Sequence, residues 1–210
     1  MLRVLLVGPY KGKENSSDAF LAPPFGLYRM KFYIESKLKG VNIDILDPSV
    51  IDYLKANGPY EIIGFSFLHL TLENDLRVFN YFKLKFPEAI FIAGGIEASF
   101  LGKVFFSYAA FDIVAIGEGE NTLLGILRNF LKQRKCFANI KSIYFKRDGI
   151  VYFSGYGKQL NLNDFKKIYR AYKPGNIPYE LYWNNNARLY EHPNWKEIKV
   201  VRGTFSNFCQ

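Results

Sequence analysis

Few residues in this chain can carry proton, metal or nucleophile chemistry. There are two histidines, His69 and His192, and two cysteines, Cys136 and Cys209. His69 follows Ser66-Phe67-Leu68 at the end of an apolar run, where it could approach a ligand. Its simpler role is that of a partly buried histidine bonded to backbone. His192 precedes Pro193 and reads as a surface residue. Glu118 and Glu120, within Gly117-Glu118-Gly119-Glu120, could form an acid–base pair. The simpler account places both at a helix N-terminus, where their charge offsets the dipole. The cysteines lie far apart, which suggests no disulfide framework and fits a reducing cytosol. What remains is a set of small-residue loops: Gly8-Pro9, Ser66-Phe67-Leu68, Gly94-Gly95-Ile96 and Gly117–Gly119. Loops of that kind let a backbone come close to a ligand.

Each of these loops closes an apolar run, and the runs define the elements that must position them. Leu2–Val7 is a strand closed by Gly8-Pro9, and a polar loop, Tyr10–Ala19, follows. That loop lacks GxGxxG and GxxxxGK[ST], so it is neither a dinucleotide fingerprint nor a P-loop. Pro23-Pro24-Phe25-Gly26-Leu27 opens a helix with Leu27, Met30, Ile34 and Leu38 on its buried stripe, and Gly40 ends it as a C′ glycine would. Val41–Leu46 is a second strand, with Asp47-Pro48 beyond it, and Val50–Ala56 is a short amphipathic piece. Ile62–Phe67 is short, β-branched and aromatic, as a buried parallel strand should be. Thr71 is placed to cap the next helix, which carries Leu72, Leu76, Phe79 and Phe82 on one face until Pro87 stops it. Ala89–Ala93 is a fourth strand, a helix around Ala98–Ala110 follows, and Asp112–Ile116 is a fifth strand ahead of a helix over Asn121–Lys132. Five βα units in succession predict an α/β domain over residues 1–135. Its five-stranded parallel sheet is Rossmann-like or flavodoxin-like, with helices on both faces. Ligands in such folds bind at the carboxyl ends of the strands, where these small-residue loops gather.

Beyond this domain, Lys141–Lys146 and Ile150–Ser154 joined by Asp148-Gly149 predict a β-hairpin. Leu160–Trp195 reads as a linker with short helices, so residues 136–196 form hairpin plus linker. Cys136 reads as a structural thiol after the fifth helix. Tyr169, Tyr172, Tyr179, Tyr182 and Tyr190 could stack on a ligand, and packing of the linker against the domain is the simpler account. Glu197–Val201 alternates as a strand and runs into Arg202-Gly203, so residues 197–210 read as the start of a further domain, cut short.

Composition narrows the class. At 210 residues, 49% hydrophobic and 18% aromatic, the chain can bury a sizeable core. The net charge of +9 raises nucleic acid as a partner, but Lys31, Lys37, Lys39, Lys83 and Lys85 are scattered along helix faces and predict a solvated surface. No stretch predicts a membrane span or a secretory signal, and the expected setting is cytoplasmic.

The order of the loops resembles the cobalamin-binding (B12-binding) domain at the N-terminus of many radical S-adenosylmethionine enzymes. Gly-Pro follows strand one, PPFGL opens the first helix, Asp-Pro follows strand two, Ser-x-Leu strand three, Gly-Gly strand four and Gly-Glu-Gly-Glu strand five. The resemblance spans about residues 1–202, and 25 residues separate Leu68 from Gly94 as in that family. It implies a corrinoid across the sheet edge, with its nucleotide tail between the strand-three and strand-four loops. Gly8, Pro9, Ser66, Phe67, Leu68, His69, Thr71, Gly94, Gly95, Ile96, Gly117, Glu118 and Gly119 would then surround the cofactor. Two departures stand out. The Asp-x-His-x-x-Gly motif that supplies a cobalt ligand is absent, since Gly8–Phe20 contains no histidine. Thr204 stands where the first cysteine of the family's CxxxCxxC motif often follows Arg-Gly, and Cys209 alone cannot hold a [4Fe–4S] cluster. Cys209 would be one cluster ligand in a longer chain, and S-adenosylmethionine would bind only there. The resemblance therefore implies the corrinoid-binding module of a B12-dependent radical enzyme of the methyltransferase kind, whose radical barrel is missing from this chain and which does no radical chemistry alone. The alternatives are a cofactor-free B12-like fold that serves as an interaction or scaffold domain for such a barrel, and a flavodoxin-like domain for another nucleotide. Gly12, Ser16 and Ser17 meet the phosphate-loop requirement of the last only loosely.

Overall fold

Short β-branched runs that alternate between two buried faces can only be satisfied inside a sheet covered on both sides. In the computed structural model, which describes residues 1–12, 21–132 and 137–189, five such runs are strands. They are β1 (Leu2–Val7), β2 (Val41–Leu46), β3 (Ile62–Ser66), β4 (Ile90–Gly94) and β5 (Ile113–Ala115). They pair in parallel in the order β2-β1-β3-β4-β5, the flavodoxin-type winding with its switch point between β1 and β3.

The expected hairpin forms as β6 (Ile143–Arg147) and β7 (Ile150–Phe153), turning through Asp148 and Gly149 at φ 52° and 77°. It does not stand apart from the sheet. β6 pairs antiparallel with β5, so the sheet has seven strands where the sequence predicts five. The cause is the unpaired outer edge of β5, which β6 covers while burying Ile143 and Phe145.

Helices α1 (Phe25–Lys37) and α4 (Gly119–Leu131) cover one face, sealing Leu2, Val4, Leu6, Ile62, Ile92 and Ile113 beneath Ile34, Leu123 and Leu127. Helices α2 (Leu72–Lys85) and α3 (Gly95–Leu101), with a 3-10 turn over Gly102–Ser107, cover the other. That second core is aromatic. Phe79 and Phe111 stand 4.4 Å apart between ring centroids, Phe67 and Phe105 4.9 Å, and Phe65 stacks on Phe67. Two local expectations change. The helix after β4 ends at Leu101, because Gly102 turns the chain at φ 53° into the 3-10 segment. Thr71 precedes α2, but its hydroxyl does not cap the helix; it donates to the Asp75 carboxylate at 2.7 Å.

The tyrosine-rich stretch folds against the sheet. Helix α5 (Leu162–Ala171) starts from a capping box between Asn161 and Asp164. Helix α6 (Tyr179–Leu189) lies over α1, where Ile177 and Tyr179 pack with Tyr28 and Phe32. The Tyr182 hydroxyl donates to buried Asp47 at 3.0 Å. Burial raises the pKa of both partners, and for Asp47 the hydrogen bonds from Ser49 and Tyr182 only partly offset it. Asn186 clamps a main-chain unit 165 residues away: its Oδ1 accepts from the Leu21 amide at 2.9 Å and its Nδ2 donates to the Leu21 carbonyl at 2.8 Å. Cys136, Tyr190, His192, the strand expected at Glu197–Val201, Cys209 and most of the loop after β1 lie outside the described residues.

Asn186→Ala leaves a buried amide and carbonyl of Leu21 without those partners. It is expected to cost about 2 kcal/mol, read as a lower urea midpoint at unchanged slope. A loss below about 0.5 kcal/mol, within the range of ordinary surface changes, would mean that α6 is held by its apolar contacts and the Tyr182–Asp47 bond without this clamp.

Candidate functional site

The site begins with one missing side chain. Leu6, Gly64 and Ile92 stand side by side across β1, β3 and β4. At the middle of that row a Cβ on Gly64 would sit 2.9 Å from Leu6 Cδ2. The sheet face therefore dips at its centre, under the gap between α1 and α4. Leu27 and Met30 from α1 and Leu123 and Ile126 from α4 wall the dip into an apolar cleft of about 700 Å3. The cleft opens at the carboxyl ends of the strands, where Pro9, Ser66, Leu68, Gly94, Gly95, Ile96, Gly117, Glu118 and Gly119 line it. These residues come from four loops far apart in sequence.

Hydrogen bonds fix the loops to one another. The Phe67 amide donates to the Gly94 carbonyl at 2.9 Å, and the Glu97 amide to the Phe67 carbonyl at 3.2 Å. Gly95 lies between them at φ 90°, where a Cβ would come within 2.6 Å of the Phe67 carbonyl oxygen and 2.7 Å of its nitrogen. Ser99 joins the third loop: its Oγ donates to the Gly95 carbonyl at 2.8 Å and accepts from the Gly117 amide at 3.0 Å.

One buried acid, Glu120, sits in the cleft wall, and a second, Asp75, anchors the loop after β1 from the other side of the sheet. Glu120, 1% exposed, accepts from Arg29 Nε at 2.7 Å, with Nη2 also at 2.7 Å, and Glu118 lies 3.8 Å from the same guanidinium. Burial works against the charge of Arg29, but Glu120 and the hydroxyl of Tyr169 outweigh it and raise its pKa. The glutamates thus serve to bind α4 to α1, and their charge is answered by Arg29 besides the helix dipole. Asp75 accepts from the Tyr10 amide at 2.6 Å and from Thr71 Oγ1, tying the start of the loop after β1 to α2. Burial pushes its pKa up to about 7 against the pull of hydrogen bonds from Tyr10, Thr71 and the Leu68 backbone.

Four expected site residues stand apart from the cleft lining. Gly8 is buried beneath the edge, with its amide bonded to the Leu46 carbonyl at 2.8 Å. Phe67 turns to the opposite face, into the aromatic core. Thr71 is buried against Asp75. His69 is 82% exposed at its side chain and its Nδ1 lies 3.1 Å from Glu97 Oε1, so the expectation of a partly buried, backbone-bonded histidine gives way to an exposed one beside a carboxylate. Among the described residues no group of three or more His, Cys, Asp or Glu could hold a metal ion. Sequence reasoning missed Gly64, Arg29, Met30 and Ser99. A glycine inside an apolar strand is the signal that could have found Gly64. The other three carry none, because their partners lie on other elements.

No family model matches the chain, and no curated protein matches it. Solved structures do. The chain shares its fold with part of two radical S-adenosylmethionine enzymes. One is the cobalamin-dependent S-adenosylmethionine radical enzyme OxsB, solved with aqua-cobalamin and S-adenosylmethionine bound (TM-score 0.60, 18% identity, 81% of this chain and 25% of that one). The other is the radical S-adenosylmethionine methyltransferase TsrM from Kitasatospora setae, solved with cobalamin and a [4Fe–4S] cluster (TM-score 0.60, 16% identity, 78% of this chain and 30% of that one). The chain thus spans under a third of the length of either enzyme. At these identities the likeness is one of fold.

Two outcomes test the site's construction. Gly94 has extended backbone, and a Cβ there meets only the Phe65 carbonyl oxygen, at 3.6 Å, so Gly94→Ala is expected to be near neutral. Gly95→Ala is expected to cost at least about 2 kcal/mol through its positive φ and its clash with Phe67; equal midpoints for the two variants in urea would refute the close approach. For Asp75, the folded chain keeps the proton to about pH 7 while the unfolded chain releases it near 3.8. The folded state therefore holds more protons in that window, and stability falls as pH rises from about 4 to 7, by at most about 4 kcal/mol. Asp75→Asn is expected to flatten that slope, and an unchanged slope would show that Asp75 titrates normally.

Proposed function

We propose that this chain is the corrinoid-binding module of a B12-dependent radical S-adenosylmethionine enzyme, of the methyltransferase kind. The observation that carries the reading is the glycine-floored apolar cleft, which opens at the carboxyl edge of a sheet wound in flavodoxin order. The residues present fit the tail of a corrinoid. Leu6, Ile92, Leu27, Met30, Leu123 and Ile126 would exclude water from it, and Gly64 leaves the depth it needs. Ser66 offers a hydroxyl at the rim, while Gly94 and Gly95 present backbone in place of side chains. Gly26 and Gly119, in the first turns of α1 and α4, expose helix N-termini to a phosphate. When bound, a corrinoid supplies a cobalt centre able to carry a methyl group. No described histidine lines the cleft, so no imidazole ligand is assigned to the metal.

The remaining machinery is proposed for a longer protein: a radical barrel as partner, a [4Fe–4S] cluster to which Cys209 contributes one thiolate, S-adenosylmethionine, and a cytoplasmic setting. No helix among the described residues is long and apolar enough to cross a membrane.

Hydroxocobalamin mixed with the purified chain is expected to co-elute with it on gel filtration with a shifted visible spectrum. Gly94→Trp, which the extended backbone tolerates, should fill the cleft and abolish retention. If near-millimolar corrinoid is not retained by the wild-type chain, the module is instead a cofactor-free scaffold for its barrel.

A further inference from the structure

A second cavity, of about 1480 Å3, lies between α4, the β6–β7 hairpin and the chain after β7. Lys103, Arg128, Lys132, Lys141 and Lys158 line it, drawn together from four stretches of sequence. None of the five forms an ion pair among the described residues, and Lys141 donates to the Ser154 carbonyl at 2.9 Å without meeting a carboxylate. On the helix surfaces of the same chain, by contrast, Lys31 pairs with Glu35 and Arg77 with Glu73. Among the described residues the one carboxylate on the cavity wall is Glu118, whose charge already faces Arg29 at 3.8 Å. Five cations around one concavity repel each other unless an anion enters.

The part of the lining that comes from the hairpin and the chain after it is aromatic. Tyr144 stacks on Phe153 at 4.5 Å, and Tyr156 meets Phe153 edge to face at 5.0 Å while staying 78% exposed. Unpaired cations beside an exposed ring platform match the chemistry of a charged, base-bearing chain: phosphates for the lysines and arginine, base faces for the rings. The volume exceeds the roughly 300–1,000 Å3 of ordinary small-ligand pockets, which favours a segment of polymer over a single mononucleotide.

We propose that this groove binds single-stranded polynucleotide, with Lys103, Arg128, Lys132, Lys141 and Lys158 on the phosphates and Tyr156 stacked on a base. Ser99, Gly117 and Glu118 line both this groove and the apolar cleft, so a strand held here would run up to the cleft mouth. The inference does not depend on a corrinoid occupying that cleft.

The test is fluorescence anisotropy on the cofactor-free 210-residue chain, with labelled oligouridylate and oligothymidylate of about 12 nucleotides, within the span such grooves cover. Binding to either strand is expected, tighter than to a duplex of equal length. If three to five phosphates are neutralised, the dissociation constant should rise with salt with a logarithmic slope of about 2 to 3.5. Preference for one strand type tells whether RNA or DNA is the source. Arg128→Glu with Lys158→Glu is expected to weaken binding at least about tenfold, and Tyr156→Ala by roughly 5- to 100-fold. Lys39→Glu with Lys55→Glu makes the same charge change at the amino ends of the strands and should leave affinity unchanged. All these side chains are exposed, and unchanged thermal melts would confirm that each variant folds. Equal weakening by the distant pair would reduce the effect to general positive charge. Displacement by polyglutamate as readily as by oligouridylate would assign the groove to an acidic polypeptide. Duplex binding as tight as single-strand binding would remove the stacking role. Each of these three results overturns the proposal.

Discussion

The approach of two backbones at the ends of β3 and β4 is the constraint on which the rest of the site depends. Gly95 lies so close to Phe67 that any side chain would enter the space of its carbonyl and amide. With that approach made, the Phe67 amide donates to the Gly94 carbonyl and the Phe67 carbonyl accepts from the Glu97 amide, and α3 starts where Ser99 can reach both Gly95 and Gly117. Three loops are thereby locked into one rim. The same geometry turns Phe67 into the aromatic core on the far face, so the rim is anchored by buried rings and not by loop contacts alone.

Division of labour between the two faces of the sheet follows. The face under α2 and α3 is filled with phenylalanine rings and is the mechanical support. The face under α1 and α4 is aliphatic and carries the dip at Gly64, so it is where a ligand can enter without displacing packed side chains. The helices bordering the dip are held by Arg29 and Glu120, an ion pair whose loss would leave a buried carboxylate alone. Asp75, Asp47 and Asn186 act likewise at the periphery. Each is a buried polar side chain that meets a partner from another part of the chain, fixing a loop or the α6 helix in place.

Charge is distributed just as unevenly. The cleft walls are largely apolar, and its acids are matched by one arginine. The adjoining groove collects unpaired cations. Lys31, Lys37, Lys39, Lys83 and Lys85, which make the sequence read as evenly basic, do not line that groove at all. A positive total therefore says little about where an anion would be held; the folding of α4 against the hairpin decides that.

Much was written locally in the residues. Runs such as Ile62–Ser66 and Ile90–Gly94 specify buried parallel strands because their β-branched and aromatic side chains suit two covered faces, and the glycines at 94, 95, 117 and 119 mark the loops that follow the strands. Nine of the thirteen cofactor-site residues expected from those loops line one cleft: Pro9, Ser66, Leu68, Gly94, Gly95, Ile96, Gly117, Glu118 and Gly119. What local pattern could not contain were relations between distant elements. These include the pairing of β6 onto β5, the turning of Phe67 away from the cleft and the exposure of His69 beside Glu97. The partnership of Arg29 with Glu120 and the gathering of five cations are of the same kind. Strand periodicity and loop chemistry are properties of neighbouring residues, so the chain alone determined the succession of parallel βα units and the place of the rim, while the flavodoxin order of the strands came from the tertiary structure. Depth, charge pairing and the outer edge of the sheet depend on which surfaces meet in space, and only the tertiary structure decided them.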